Sequence, residues 1–154
     1  MPAKDKYHHQ VRRALEKEGW IITHDPYTLR SIGVNFPIDL GAEKLIAAER
    51  ANEKIVVEIK SFLGESIPNE FHTALGQYLD YELGMEDQEP DRKTFLAMPV
   101  KVYNKILTIP LLVKSLTRHN VNLIIFLSYQ PLVNYFFYRF KNNEIHIMTG
   151  QWFH

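Results

Sequence analysis

Ile55-Val56-Val57-Glu58-Ile59-Lys60 reads as a β-strand built for burial, with two charges set into it. Its β-branched run suits a central strand. A carboxylate and an ammonium there each cost several kcal/mol unless something pairs them or uses them. Side chains alternate faces along a strand, so Glu58 and Lys60 share one face while Val57 and Ile59 take the other. Upstream, Phe36-Pro37-Ile38-Asp39 reads as a second apolar strand carrying one acid. Neighbouring strands would bring Asp39 and Glu58 together as oxygen ligands for Mg²⁺ or Mn²⁺. The Ile59 carbonyl would be a further donor, with waters completing the octahedron. Lys60 is then placed to orient or deprotonate an attacking water, or to neutralise charge on a phosphorane-like transition state. This is the chemistry of metal-dependent phosphodiester cleavage. The competing reading is a pair of cross-strand ion pairs to Lys60 at a sheet end, with no catalytic use.

Working outward, residues 36–61 read as an antiparallel hairpin, kinked at Gly41 and turning at Ala51-Asn52-Glu53. Residues 4–18 read as an amphipathic helix with Val11 and Leu15 on its inward stripe. Gly19 stops it, and Trp20-Ile21-Ile22-Thr23 follows as a short strand. Residues 68–83 form a second helix, with Pro68 in its first turn. The acidic stretch Gly84–Pro90 reads as a loop, and Thr94–Met98 as a strand. Residues 100–118 are a helix broken at Pro110, and Val121–Leu127 is a buried strand. Leu132–Phe140 and Glu144–Met148 form a hairpin turning at Asn142-Asn143. A helix, a hairpin, then alternating helices and strands imply an α/β sandwich with a mixed central sheet flanked by helices. One domain over 1–154 is expected, ending in an aromatic-rich hairpin at about 129–154.

Composition bounds the function classes. The chain has 154 residues, 45% of them hydrophobic and 23% charged, as in ordinary globular proteins. There is no cysteine, which removes disulfides and thiolate metal sites and suits a cytoplasmic protein. No apolar run approaches a membrane span, and no signal peptide is expected at Met1-Pro2-Ala3-Lys4-Asp5. Net charge is zero, against strong nonspecific nucleic-acid binding, but the charge is segregated. Residues 62–98 carry eight acids and two bases; residues 99–154 carry six bases and one acid. The aromatic run Tyr135-Phe136-Phe137-Tyr138-Arg139-Phe140 would stack bases, be buried on both faces, or form a two-fold homodimer interface.

The pattern Pro37-Ile38-Asp39 … Glu58-Ile59-Lys60 resembles the PD-(D/E)xK nuclease superfamily. Here Pro stands two residues before Asp rather than one. RecB-type members carry Gln-x-x-x-Tyr on the following helix, as Gln77 and Tyr81 do here. The resemblance implies that these two reach the DNA backbone or the triad; the alternative is a polar surface residue and a packing tyrosine. A more specific resemblance, over residues 1 to about 127, is to the XisH family of cyanobacterial excision controlling factors of the fdxN element. It is carried by Lys4-Asp5-x-Tyr7-His8, Gly19-Trp20, the run Ile38–Glu49, Val57-Glu58-Ile59-Lys60-Ser61-Phe62 and Ala74-Leu75-Gly76-Gln77-Tyr78. It implies a restriction-endonuclease-like fold and a role in DNA excision, either as a divalent-metal-dependent DNA endonuclease or as a non-catalytic module. The latter would assemble with a companion excision factor and direct a recombinase. Resolvase-like nucleases place a glutamate on the first helix where this chain offers His8, which would bind metal or phosphate, or be a hydrogen-bonded core residue. Glu43 would approach the metal, or pair with Lys44 or Lys54. The C-terminal tail is longer than in that family.

Overall fold

The computed structural model describes the backbone of residues 3–30, 45–62, 64, 66–129, 132–141 and 144–147, and the side chains of 7–30, 45–62, 64 and 66–126. Seven strands form one mixed sheet whose spatial order is the chain order. They are β1 (Ile21–His24), β2 (Leu45–Arg50), β3 (Glu53–Ile59), β4 (Arg92–Pro99), β5 (Asn122–Tyr129), β6 (Leu132–Lys141) and β7 (Glu144–Ile147). β3–β4 and β4–β5 pair in parallel; all other neighbours are antiparallel. Parallel pairs need crossovers, and helices supply them. α2 (Ile67–Gln88) links β3 to β4, while α3 (Val100–Leu107) and α4 (Pro110–Arg118) link β4 to β5. α1 (Ala3–Lys17) precedes the sheet.

The helices lie on both faces. Val11 and Leu15 of α1 pack with Trp20 on Ile55, Val57 and Ile59 of β3 and their neighbours. On the other face, Phe71, Leu75 and Tyr78 of α2 meet Leu96, Met98, Leu123 and Ile125, together with α3 and α4. Gly19 has φ of +88°, the left-handed conformation that lets the chain turn out of α1. The two-residue turn Ala51-Asn52 joins β2 to β3, with Arg50 opposite Glu53. The break at Pro110 falls where its ring cannot continue a helix. Among the described residues no helix is long and apolar enough to cross a membrane.

One expectation needs correction. Gly84–Gln88 is not a loop but the last turns of α2. Its glycine and clustered acids gave a loop signal that tertiary contacts override. Met85 is buried with Tyr81, Tyr27 and Leu29, and a Cβ on Gly84 would come within 2.9 Å of the Leu29 side chain. The expected aromatic-rich strand is β6, which pairs with both β5 and β7. Its side chains, and so the expected dimer interface, lie outside those described. The strand expected at 36–40 also lies outside the described residues.

The C-terminal end of α2 is tied down by a buried cation. Arg92, 1% exposed in its side chain, donates to Glu89 Oε2 at 2.7 Å, to Glu49 Oε1 at 3.2 Å and to the Ile55 carbonyl at 3.0 Å. Tyr27 donates to Glu89 at 2.6 Å, and Gln88 donates to the Tyr27 hydroxyl at 2.7 Å. Arg92→Leu should cost about 3 kcal/mol in urea unfolding, the low end for breaking a buried pair, because the carboxylates left behind reach water. The hydrogen bond from Arg92 holds the Glu89 carboxyl below its usual range. Its stabilisation is therefore complete above the unfolded carboxyl value and is lost as pH falls through the lower folded one. Arg92→Leu should flatten that acid limb; an unchanged acid limb would place the stabilisation elsewhere.

Candidate functional site

Strand parity decides which face carries the charges. Val57 and Ile59 pack on the α1 side, and Val56 packs with Tyr81 and Met85 of α2. Glu58 and Lys60 therefore project toward α2. Glu58 is 0% exposed, lying between Leu45 of β2 and Leu96 of β4. Lys60, just past the strand end, donates its backbone N–H to the Ala97 carbonyl at 2.9 Å, so the parallel register extends one residue beyond β3. Its Nζ stands 3.9 Å from Glu58 Oε1, a charge pair longer than a hydrogen bond. Ile59 is buried by its side chain in the opposite core, which leaves only its backbone to serve as a donor at the site.

The first turns of α2 complete this region. Ser66 caps the helix, accepting from the Asn69 N–H at 3.3 Å. Lys60, Phe62, Asn69, Glu70 and Thr73 line one cavity. Glu70 accepts from the Gly64 N–H at 2.9 Å through Oε1. Its Oε2 is buried with no hydrogen-bond partner among the described residues. A Cβ on Gly64 would sit 2.8 Å from Glu70 Oε1, so a larger residue there would shift the end of the Glu70 side chain. Glu70, Thr73 and Gln77 follow one another at helical spacing on α2. Gln77 Oε1 is likewise buried without a partner among the described residues. Phe62, with φ of +54°, is a bulky residue held in a left-handed conformation beside the cavity. Such strain persists only where the surroundings enforce it.

Several expected site residues go elsewhere. Tyr81 is 2% exposed among Tyr27, Leu29, Val56 and Met85, and does not line the Lys60 cavity. His8 lies on α1, whose helix packs on the opposite sheet face, and its Nε2 is 2.8 Å from Asp25 Oδ1. Arg12 joins the same carboxylate at 2.7 Å. Burial pushes Asp25 up, but these hydrogen bonds outweigh it and hold the carboxyl below its usual range. Lys54 stands 3.6 Å from Asp91. Asp39 and Glu43 lie outside the described residues. Sequence reading missed Glu70, because an acid in a first helical turn reads as ordinary dipole complementation. It also missed Phe62, whose backbone conformation has no sequence signal.

If Glu58 serves chemistry rather than folding, removing its charge should not hurt the fold. Glu58→Gln should unfold in urea within about 1 kcal/mol of the parent, or later, since a buried carboxylate kept for function is seldom optimal for stability. A loss of about 3 kcal/mol or more would mark a structural ion pair instead.

Comparison with known proteins covers most of the chain. A model of the XisH protein family matches residues 1–133. A crystal structure of an XisH family protein from Nostoc punctiforme PCC 73102 is 40% identical, with a TM-score of 0.73, over 83% of this chain and 95% of that one. A crystal structure of an fdxN element excision controlling factor protein from Anabaena variabilis is 39% identical, with a TM-score of 0.74, over 84% of this chain and 96% of that one. This chain is thus longer than both, and the family match stops inside β6. No curated protein matches.

Proposed function

The chain belongs to the XisH family, and from that premise we propose that it is a divalent-metal-dependent DNA endonuclease centred on Glu58 and Lys60. The carrying observation is a fully buried glutamate facing a lysine at the carboxyl end of a central strand. In open α/β sheets, ligand sites gather outside the carboxyl ends of parallel strands, and β3 and β4 are such a pair. The Anabaena variabilis relative is named for control of fdxN element excision. Carried to this chain, that name supports action on DNA undergoing rearrangement.

The donor chemistry fits a hard cation. Glu58 is carboxylate, Ile59 can offer only a carbonyl, and on α2 the buried Glu70 Oε2 and Gln77 Oε1 have no hydrogen-bond partner among the described residues. Oxygen-only donors suit Mg²⁺ or Mn²⁺ rather than softer ions. Glu58, the Ile59 carbonyl and Asp39 would hold the ion, which supplies an acidified water and screening of phosphate charge. Lys60 Nζ, 19% exposed in its side chain, reaches from the buried carboxylate toward the cavity, where it orients the water and neutralises charge developing on phosphorus. Gln77 helps hold the phosphate or the water through its amide. The apolar strands around Glu58 exclude bulk water and so strengthen each of these interactions.

A second reading, favoured by zero net charge and the relative's name, is a non-catalytic module that assembles with a companion factor and directs a recombinase. Plasmid and branched DNA incubated with Mg²⁺ or Mn²⁺ separate the two. Cleavage should appear with either ion, stop in EDTA, and fall about a hundredfold or more in Lys60→Ala and Glu58→Ala. Cleavage that survives in EDTA, or in both variants, would refute this site. No cleavage by the parent chain under any of these conditions would favour the accessory role.

A further inference from the structure

A second hollow adjoins the first. It is lined by Ser61, Phe62, Gly64, Pro99, Lys101 and Lys105, among others, and shares Phe62 with the Lys60 cavity. Lys101 and Lys105 stand one turn apart on α3, so their ammonium groups rise from the same side of the helix. Both are exposed, and neither has a carboxylate partner among the described residues. No described acid lines this second hollow. The acids of α2 concentrate toward its other end, where Glu86 lies about 24 Å along the helix from Glu70. Lys101 and Lys105 therefore give this hollow a cationic rim in a chain of zero net charge.

We infer that Lys101 and Lys105 form a phosphate-binding track for the DNA strand, which passes over Phe62 so that the phosphodiester at Lys60 is presented with its neighbours held on α3. This rests on the endonuclease reading for what happens at Lys60, but the track itself is a binding surface and needs no metal. Two lysines on one helical face make point-charge contacts to successive phosphates and carry no base information. The site would accordingly bind DNA with little sequence preference and strong salt dependence. Phe62, strained and common to both hollows, fixes the ridge between them.

The test is fluorescence anisotropy of labelled duplex and single-stranded DNA in EDTA across a salt series. It compares the parent chain, Lys101→Ala/Lys105→Ala, and a control, Lys114→Ala/Arg118→Ala, which removes the same charge from exposed positions on α4 outside both hollows. The track variant should lower the slope of log affinity against log salt by about 2, and the control should lower it by less than half as much. In Mg²⁺, its cleavage should show a raised KM with little change in kcat. Equal effects of the two double variants, or no effect of the first, would overturn the track while leaving cleavage at Lys60 intact. Absence of DNA binding by the parent would also overturn it. Normal DNA binding with no cleavage would sustain the track and remove the endonuclease reading instead.

Discussion

Glu58 is held without solvent exposure where the sheet changes from antiparallel to parallel pairing, opposite Leu45 on one side and Leu96 on the other. Keeping a carboxylate there requires a fixed register on both flanks. A slip of one residue on either ladder would turn Glu58 to the α1 face and Val57 to the α2 face. The two-residue turn at Ala51-Asn52 sets the first ladder, and the hydrogen bond from Lys60 N–H to Ala97 extends the second. Helix α2 then covers the acid and brings Glu70 and Lys60 to the rim of the same cavity.

Helix α2 is consequently anchored at both ends by different means. At its start, Ser66 caps the backbone and Glu70 reaches back to Gly64. At its end, Glu89 and Gln88 engage Tyr27 and the buried Arg92, which also takes up a carbonyl of β3. The acids needed for that second anchor are kept away from the cavity by the length of the helix. At the cavity end Lys60, Lys101 and Lys105 stand with Glu58 and Glu70. An electrically neutral chain can thus present a phosphate-attracting surface, since field at a site depends on nearby charge rather than on the total.

Much of this was legible in the sequence, for definite reasons. Strand β3 announced itself through its β-branched run, and Gly19 and Pro110 marked element ends because their backbone constraints are local. The order of helices and strands carried the mixed α/β sandwich. What failed to show was tertiary. The end of α2 is helical because Met85 and Gly84 pack against Leu29 and its neighbours, which no local propensity encodes. Within the site, the Glu58–Lys60 pairing was legible from strand alternation, whereas His8 and Tyr81 were not placeable. His8 sits on a helix that packs on the far face and takes Asp25 as partner, and Tyr81 fills the core. Glu70 was invisible because its role depends on the approach of Gly64, six residues away.

The endonuclease account stands on one claim, that the buried carboxylate of Glu58 is a cation ligand. Diffraction at the manganese absorption edge from crystals of the full chain soaked in MnCl₂ tests it without any assay of activity. The account predicts an anomalous peak at coordination distance, about 2.2 Å, from a Glu58 oxygen. Loss of that peak in Glu58→Gln crystals, with the fold unchanged, would complete the assignment. A parent crystal with no manganese near Glu58, or with the Lys60 ammonium moved in to hydrogen-bond the carboxylate, would contradict it and leave the pair a structural one.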